Sequence, residues 1–151
     1  MQGVSVFFDT NVLVYAHDEL SPFHNNSALL LDLAIKKEIT GIISEQNVME
    51  LYRILTNASA MSGKPLSPAE AKSLIEETYL TGNIKVVYPS NDTMRKTLEI
   101  ASRRKLSSAR IFDVRLYVQA LQIRPTYFIT YNTGDFRGLG DLPVKTPDEI
   151  V

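Results

Sequence analysis

The chain has no cysteine among its 151 residues. That excludes a disulfide framework, a thiol nucleophile and a thiolate zinc site. Histidine is scarce, with His17 and His24 alone, so a three-histidine metal site is excluded too. No apolar run reaches the roughly 18–20 residues of a membrane span. Residues 1–8 lack the basic start and the roughly 7–15 apolar residues of a secretory signal. A cytoplasmic protein with no membrane partner is therefore expected. Neither sign of charge dominates, since 16 basic residues stand against 17 acidic ones for a net charge of −1. As an average, that balance argues against a strongly nucleic-acid-steered protein. What is present is ordinary globular material, 44% hydrophobic and 22% charged, enough for a core within one domain spanning 1–151.

Strand and helix signals alternate along the chain. Val4-Ser5-Val6-Phe7-Phe8 is β-branched and aromatic and too short for a helix, so it reads as a buried strand. Asp9-Thr10-Asn11 follows as a cap or turn. Helices are predicted over 25–37, 45–56 (capped by Ser44), 68–80 (capped by Ser67, with Pro68 first and Glu70 third), 91–104 and 109–122. Further strands are predicted at 40–43, 84–88 and 127–130, with a possible edge strand at 143–147. The alternation predicts a single three-layer α/β domain around a central, mainly parallel sheet of about four to five strands.

In such sheets ligands gather at the carboxyl ends of the strands. Asp9 directly follows the first strand, and Asp135 follows the fourth. As isolated residues they also read as a helix N-cap and a turn residue. Asp113 heads the apolar stripe formed by Leu116, Tyr117, Ala120 and Leu121. A carboxylate there is costly unless paired or metal-bound; Arg110, three residues back, is the alternative partner. Glu50 points away from the apolar face of its own helix (Val48, Leu51, Tyr52, Leu55), toward Arg53, and by periodicity reads as half of a surface ion pair. Together the four acids suggest a hard divalent cation, Mg²⁺ or Mn²⁺, held by oxygen donors, with Asn11 and Asn132 able to orient water. Carboxylates crowded in this way need the cation to remain ionised together.

These residues resemble the PIN-domain ribonucleases, and most of all the VapC-like toxins of toxin–antitoxin pairs. Phe7-Phe8-Asp9-Thr10-Asn11-Val12-Leu13-Val14-Tyr15 is similar to the family's opening hydrophobic-Asp-x-Asn motif. Glu50 falls where the family places its second acid, and Asp113, preceded by Arg110, matches the third. Phe128 to Phe136 is similar to the closing Thr-x-Asn-x-x-Asp-Phe motif. The resemblance implies hydrolysis of RNA phosphodiesters by a metal-activated water. In that reading Asp9, Glu50 and Asp113 are the main ligands and Asp135 completes the set directly or through water. Thr10, Asn11, Thr130 and Asn132 position water, acids or phosphate. The resemblance also implies a small antitoxin partner and a homodimer, with dimer contacts expected among the helices of residues 45–80. One departure is the bulky, charged Val114-Arg115-Leu116-Tyr117-Val118, where the family usually carries small residues.

Between Arg103 and Arg115 lie five basic residues (Arg103, Arg104, Lys105, Arg110, Arg115) and one acid, a local +4 that leaves −5 for the rest. This cluster is expected to grip RNA phosphate beside the acids. His17 and His24 read as surface or capping residues. Phe23, Tyr15, Tyr52 and Tyr117 could stack bases, but at their spacing they read as core. Three alternatives stand beside the toxin. One is an RNA-processing nuclease of the same fold without an antitoxin, and another is a catalytically silent RNA- or protein-binding module. The third is an aspartyl phosphatase of the haloacid-dehalogenase type, which Asn11 disfavours because that family has an Asp two residues after the first.

Overall fold

Val6 and Phe8 point to one side of β1 (Ser5–Phe8) and Phe7 to the other, and all three are fully buried. A strand covered on both faces belongs at the centre of a sheet with helices on each side. The computed structural model describes residues 1–151 and places β1 there. After β1 come α1 (Thr10–His17), α2 (His24–Ile35), β2 (Thr40–Ser44), α3 (Glu45–Leu55), α4 (Pro68–Tyr79) and β3 (Lys85–Val87). The chain continues with α5 (Asn91–Arg103), α6 (Arg110–Ile123), β4 (Tyr127–Ile129), α7 (Thr133–Phe136), β5 (Val144–Lys145) and a 3₁₀ turn, Pro147–Glu149.

The five strands run in the order β3-β2-β1-β4-β5, every pairing parallel. One apolar core lies between the sheet and α1–α4, and a second between the sheet and α5–α7. Neighbouring residues divide between them, Ile43 and Ile129 facing the first core and Ile42 and Phe128 the second, as the two-residue period of a strand requires. The expected three-layer α/β architecture is observed.

Two helices were not expected from the sequence. Thr10, Val12, Leu13, Val14 and Ala16 of α1 are all buried. A helix enclosed on most sides shows no polar face, so the apolar residues from Val12 to Ala16 carry no helical periodicity. The other, α7, is a single turn. The bulk after Asp113 is core filling, because Val114, Leu116, Tyr117 and Val118 are fully buried. Tyr117 accepts the Leu142 amide at 3.0 Å and leaves no room for a side chain at Gly140, where a Cβ would lie 2.8 Å from its ring.

The order of the strands positions the site. From β1 the chain moves outward to β2 and β3, then returns to β4 on the other side of β1 and ends at β5. This reversal opens a crevice beyond the carboxyl ends of β1 and β4.

Candidate functional site

The Asp9 amide donates to the carbonyl of Ile129 at 2.8 Å, which extends the β1–β4 ladder by one residue. Asp9 is thereby held at the mouth of the crevice. Its Oδ1 accepts the Thr10 amide at 2.8 Å and caps α1, and its Oδ2 accepts the Thr130 hydroxyl at 2.7 Å. Both readings of Asp9 thus coexist: it is an N-cap and it lies at the strand end. Burial pushes its carboxyl up to about 7, with Asp113 and Glu50 adding to the rise and the bonds from Thr130 and Thr10 opposing it.

Glu50 does not pair with Arg53 in the way the helical pattern suggests. Its Oε1 accepts the Thr10 hydroxyl at 2.9 Å and the Gln46 side-chain amide at 3.3 Å. The Asn47 amide in turn donates to the Thr10 hydroxyl at 2.9 Å. These bonds turn the solvent-side acid of α3 toward the end of β1. Gln46 and Asn47, which carry no site signal in the sequence, are buried polar residues of this network. The available clue was spacing, since Gln46 lies four residues before Glu50 and hence on the same helical face.

Asp113 sits in the first turn of α6, half-buried, 3.2 Å from Nε of Arg110. Burial raises its carboxyl above the usual range, Arg110 works against that, and Asp135 and Glu50 add to it. Arg110 also reaches Asp135, with Nη1 4.0 Å from the carboxylate and Nη2 donating to the backbone carbonyl at 2.9 Å. The four acids therefore share one electrostatic neighbourhood. Asn11 and Asn132 border it: the Asn11 amide lies 3.5 Å from the Thr130 hydroxyl, which also accepts the Asn132 backbone amide at 2.9 Å.

The basic stretch is divided by the fold. Arg110 stands between Asp113 and Asp135. Arg115 points toward α3, forming an ion pair with Glu45 and donating to Oε1 of Gln46 at 2.6 Å. Arg103 lies 3.8 Å from Glu99 and lines a separate groove with Lys96 and Arg124. Arg104 and Lys105 are exposed just past α5. The two histidines lie away from the acids: Nε2 of His17 is 2.7 Å from the Tyr79 hydroxyl, and Nδ1 of His24 is 2.9 Å from the Tyr15 carbonyl.

As the side chains stand, no three acids or histidines are gathered closely enough to enclose an ion. The donor chemistry nonetheless fits a hard divalent cation. Every available donor is oxygen, Asp9 is buried with no cationic partner, and the acids raise one another's proton affinity. Beside them a groove of about 800 Å³ opens between α3 and the start of α6, with Glu50 and Asp113 in its wall.

A parallel sheet of this order, with acids from β1, α3, α6 and the segment after β4 brought to its carboxyl edge, defines a class. The PIN-domain family profile matches residues 5–110, and the chain belongs to that family. The matched span includes Asp9 and Glu50 and ends before Asp113 and Asp135. The chain is similar to the ribonuclease VapC24 of Mycobacterium tuberculosis, 26% identical over 140 residues that cover 92% of this chain and 94% of that one. Two solved structures share the fold. Mycobacterium tuberculosis VapC20, described as a sarcin-ricin loop cleaving toxin, superposes with a TM-score of 0.68 at 15% identity, over 89% of this chain and 95% of that one. VapBC2 of Rickettsia felis, bound to a DNA fragment from its promoter, superposes with a TM-score of 0.66 at 16% identity, over 95% and 98%. No helix is long and apolar enough to cross a membrane.

Proposed function

We propose that the chain is a Mg²⁺- or Mn²⁺-dependent endoribonuclease and the toxin of a toxin–antitoxin pair, residues 1–151 working as one unit. The observation that carries this reading is the convergence of Asp9, Glu50 and Asp113 on the crevice beyond β1 and β4, with Asp135 joined to Asp113 through Arg110. Similarity to a ribonuclease supports RNA as substrate. Fold relatives described as VapBC assemblies support a small antitoxin partner. A homodimer belongs to the same proposal, and gel filtration tests it.

Hydrolysis adds the oxygen of water to phosphorus, breaks one P–O ester bond and delivers a proton to the leaving oxygen. A bound divalent cation would acidify that water and neutralise charge on the phosphate. Asp9, Glu50 and Asp113 would hold it, with Asp135 joining directly or through water. Thr130 and Thr10 fix the Asp9 carboxylate, and Thr10 and Gln46 fix Glu50. Asn11 and Asn132 offer amides to water or phosphate. Arg110 lowers the repulsion between Asp113 and Asp135.

The test is cleavage of varied structured RNAs with Mg²⁺ or Mn²⁺, with and without EDTA, comparing wild type with Asp113→Asn. Metal-dependent cleavage lost in the variant is expected. Cleavage undiminished in Asp113→Asn would overturn the assignment of the site. No cleavage of any RNA would favour a silent binding module.

A further inference from the structure

The groove beside the acids carries two apolar side chains that the core does not use. Phe112 is 55% exposed and Met49 is 66% exposed, and both line this groove with Glu50 and Asp113. Phe112 belongs to neither apolar core, whereas its neighbours Ile111 and Val114 pack against the second. Its backbone is tied to α3, because its carbonyl accepts the buried Gln46 amide at 3.0 Å. Met49 and Arg53 stand four residues apart on α3, one turn along the same face, and Arg53 lines the groove as well. The wall of the groove therefore offers an aromatic ring, a thioether, the guanidiniums of Arg53 and Arg110, and two carboxylates.

From this arrangement we infer that the groove is a base-binding subsite for one unpaired nucleotide next to the scissile phosphate, its base held between Phe112 and Met49. The inference rests on the nuclease reading above. The chemistry selects the occupant. Exposed aromatic rings take splayed, single-stranded bases by stacking, a contact that tolerates different sequences because every base has a π-face. Arg53 is placed to meet backbone phosphate, which an apolar peptide would not need. The groove volume of about 800 Å³ is that of sites enclosing ligands of roughly nucleotide size, ~300–1,000 Å³. Register follows from the chain itself. Phe112 and Asp113 both line this one groove at the head of α6, so a base on Phe112 belongs to a nucleotide close to the phosphate at Asp113. A base inside a duplex is already stacked on both faces and cannot enter. The subsite thus selects loops, bulges or single strands.

The chain has no tryptophan, so Phe112→Trp places a sole indole reporter in the groove. Titration in EDTA with a single-stranded oligoribonucleotide should quench its emission, and the same strand annealed to its complement should act at least tenfold more weakly. In the unlabelled chain, Phe112→Ala should raise KM for RNA cleavage about tenfold or more, and Phe112→Tyr should restore it. Leu98→Ala, an exposed apolar residue on α5 outside the groove, serves as the control with KM unchanged. An indole blind to single strands, or equally responsive to duplex, overturns the subsite. So does an unchanged KM in Phe112→Ala while wild type cleaves, an outcome that leaves the nuclease reading standing. An indole that answers only to a protein partner assigns the face to protein and also overturns it. A wild-type chain that neither binds nor cleaves RNA overturns both readings.

Discussion

The hydroxyl of Thr10 donates to Oε1 of Glu50 across 2.9 Å. It joins residues forty positions apart and connects the acid of α3 to the strand end that carries Asp9. The same hydroxyl accepts from buried Asn47, so Thr10 has a partner on each side.

Thr10→Val removes both bonds and leaves the Asn47 amide unsatisfied. A stability loss of about 1–3 kcal/mol is expected, with cleavage falling at least tenfold as Glu50 loses its fixed orientation. Thr10→Ser should restore most of both. Urea unfolding beside initial cleavage rates measures the two effects, and full activity in Thr10→Val would show that Glu50 needs no such support.

Asp9 is buried among acids with no cation of its own. Asp9→Asn should therefore abolish cleavage while raising the unfolding midpoint of the chain in EDTA at pH 8, by about 2–4 kcal/mol of stability. Added Mg²⁺ or Mn²⁺ should then raise the midpoint of wild type and leave the variant almost unmoved. Thermal scans of the two proteins, with and without metal, read this directly; an Asp9→Asn chain less stable than wild type in EDTA would contradict it.

His17 provides the pH dependence away from the acids. Burial, assisted by His24 from α2, lowers its pKa from 6.5 to about 4. Its other close neighbours are the Tyr79 hydroxyl from α4 and buried Asp18, next in the chain. Between pH 6.5 and 4 the unfolded chain takes up a proton that the folded chain does not. Stability from this group is therefore complete above about pH 6.5 and declines as pH falls to about 4, by about 3 kcal/mol in all. Asp9, whose folded pKa is raised, contributes with the opposite sign, so the effect must be read as a difference. The stability of wild type minus that of His17→Gln should shrink from pH 7 to pH 5 in urea titrations. A constant difference would mean that His17 titrates normally in the folded chain.

The basic residues should separate by role. Neutralising Arg103, Arg104 and Lys105 to Gln should reduce the slope of log affinity against log salt by about 2, as expected for three contacts at roughly 0.7 each on single-stranded RNA. Arg115→Gln should leave that slope unchanged and lower the cleavage rate, because Arg115 is committed to Glu45 and to the Gln46 that holds Glu50. Filter binding over a range of salt, beside cleavage rates, distinguishes them. An unchanged slope in the triple variant would remove phosphate contact as the cluster's role.

Most of the fold was legible because the strands are short β-branched or aromatic runs, and because α3, α4 and α5 are preceded by the capping residues Ser44, Ser67 and Ser90. Ser67-Pro68 with Glu70 marked the start of α4 to the residue. The helix α1 was hidden because burial on most sides removes the polar face that periodicity needs.

By itself the sequence determined the chemistry available: no thiol, two histidines, and acids at strand ends and a helix head, hence oxygen donors and water. Glu50's direction, Arg115's engagement with Glu45 and Gln46, and the presence of Phe112 and Met49 in one groove were decided only by the tertiary structure. The reason is physical. Helical periodicity reports which side of an element faces its own packing partners. The site lies where separate elements meet beyond the sheet, and there hydrogen bonds between residues far apart in the chain set each side chain's course.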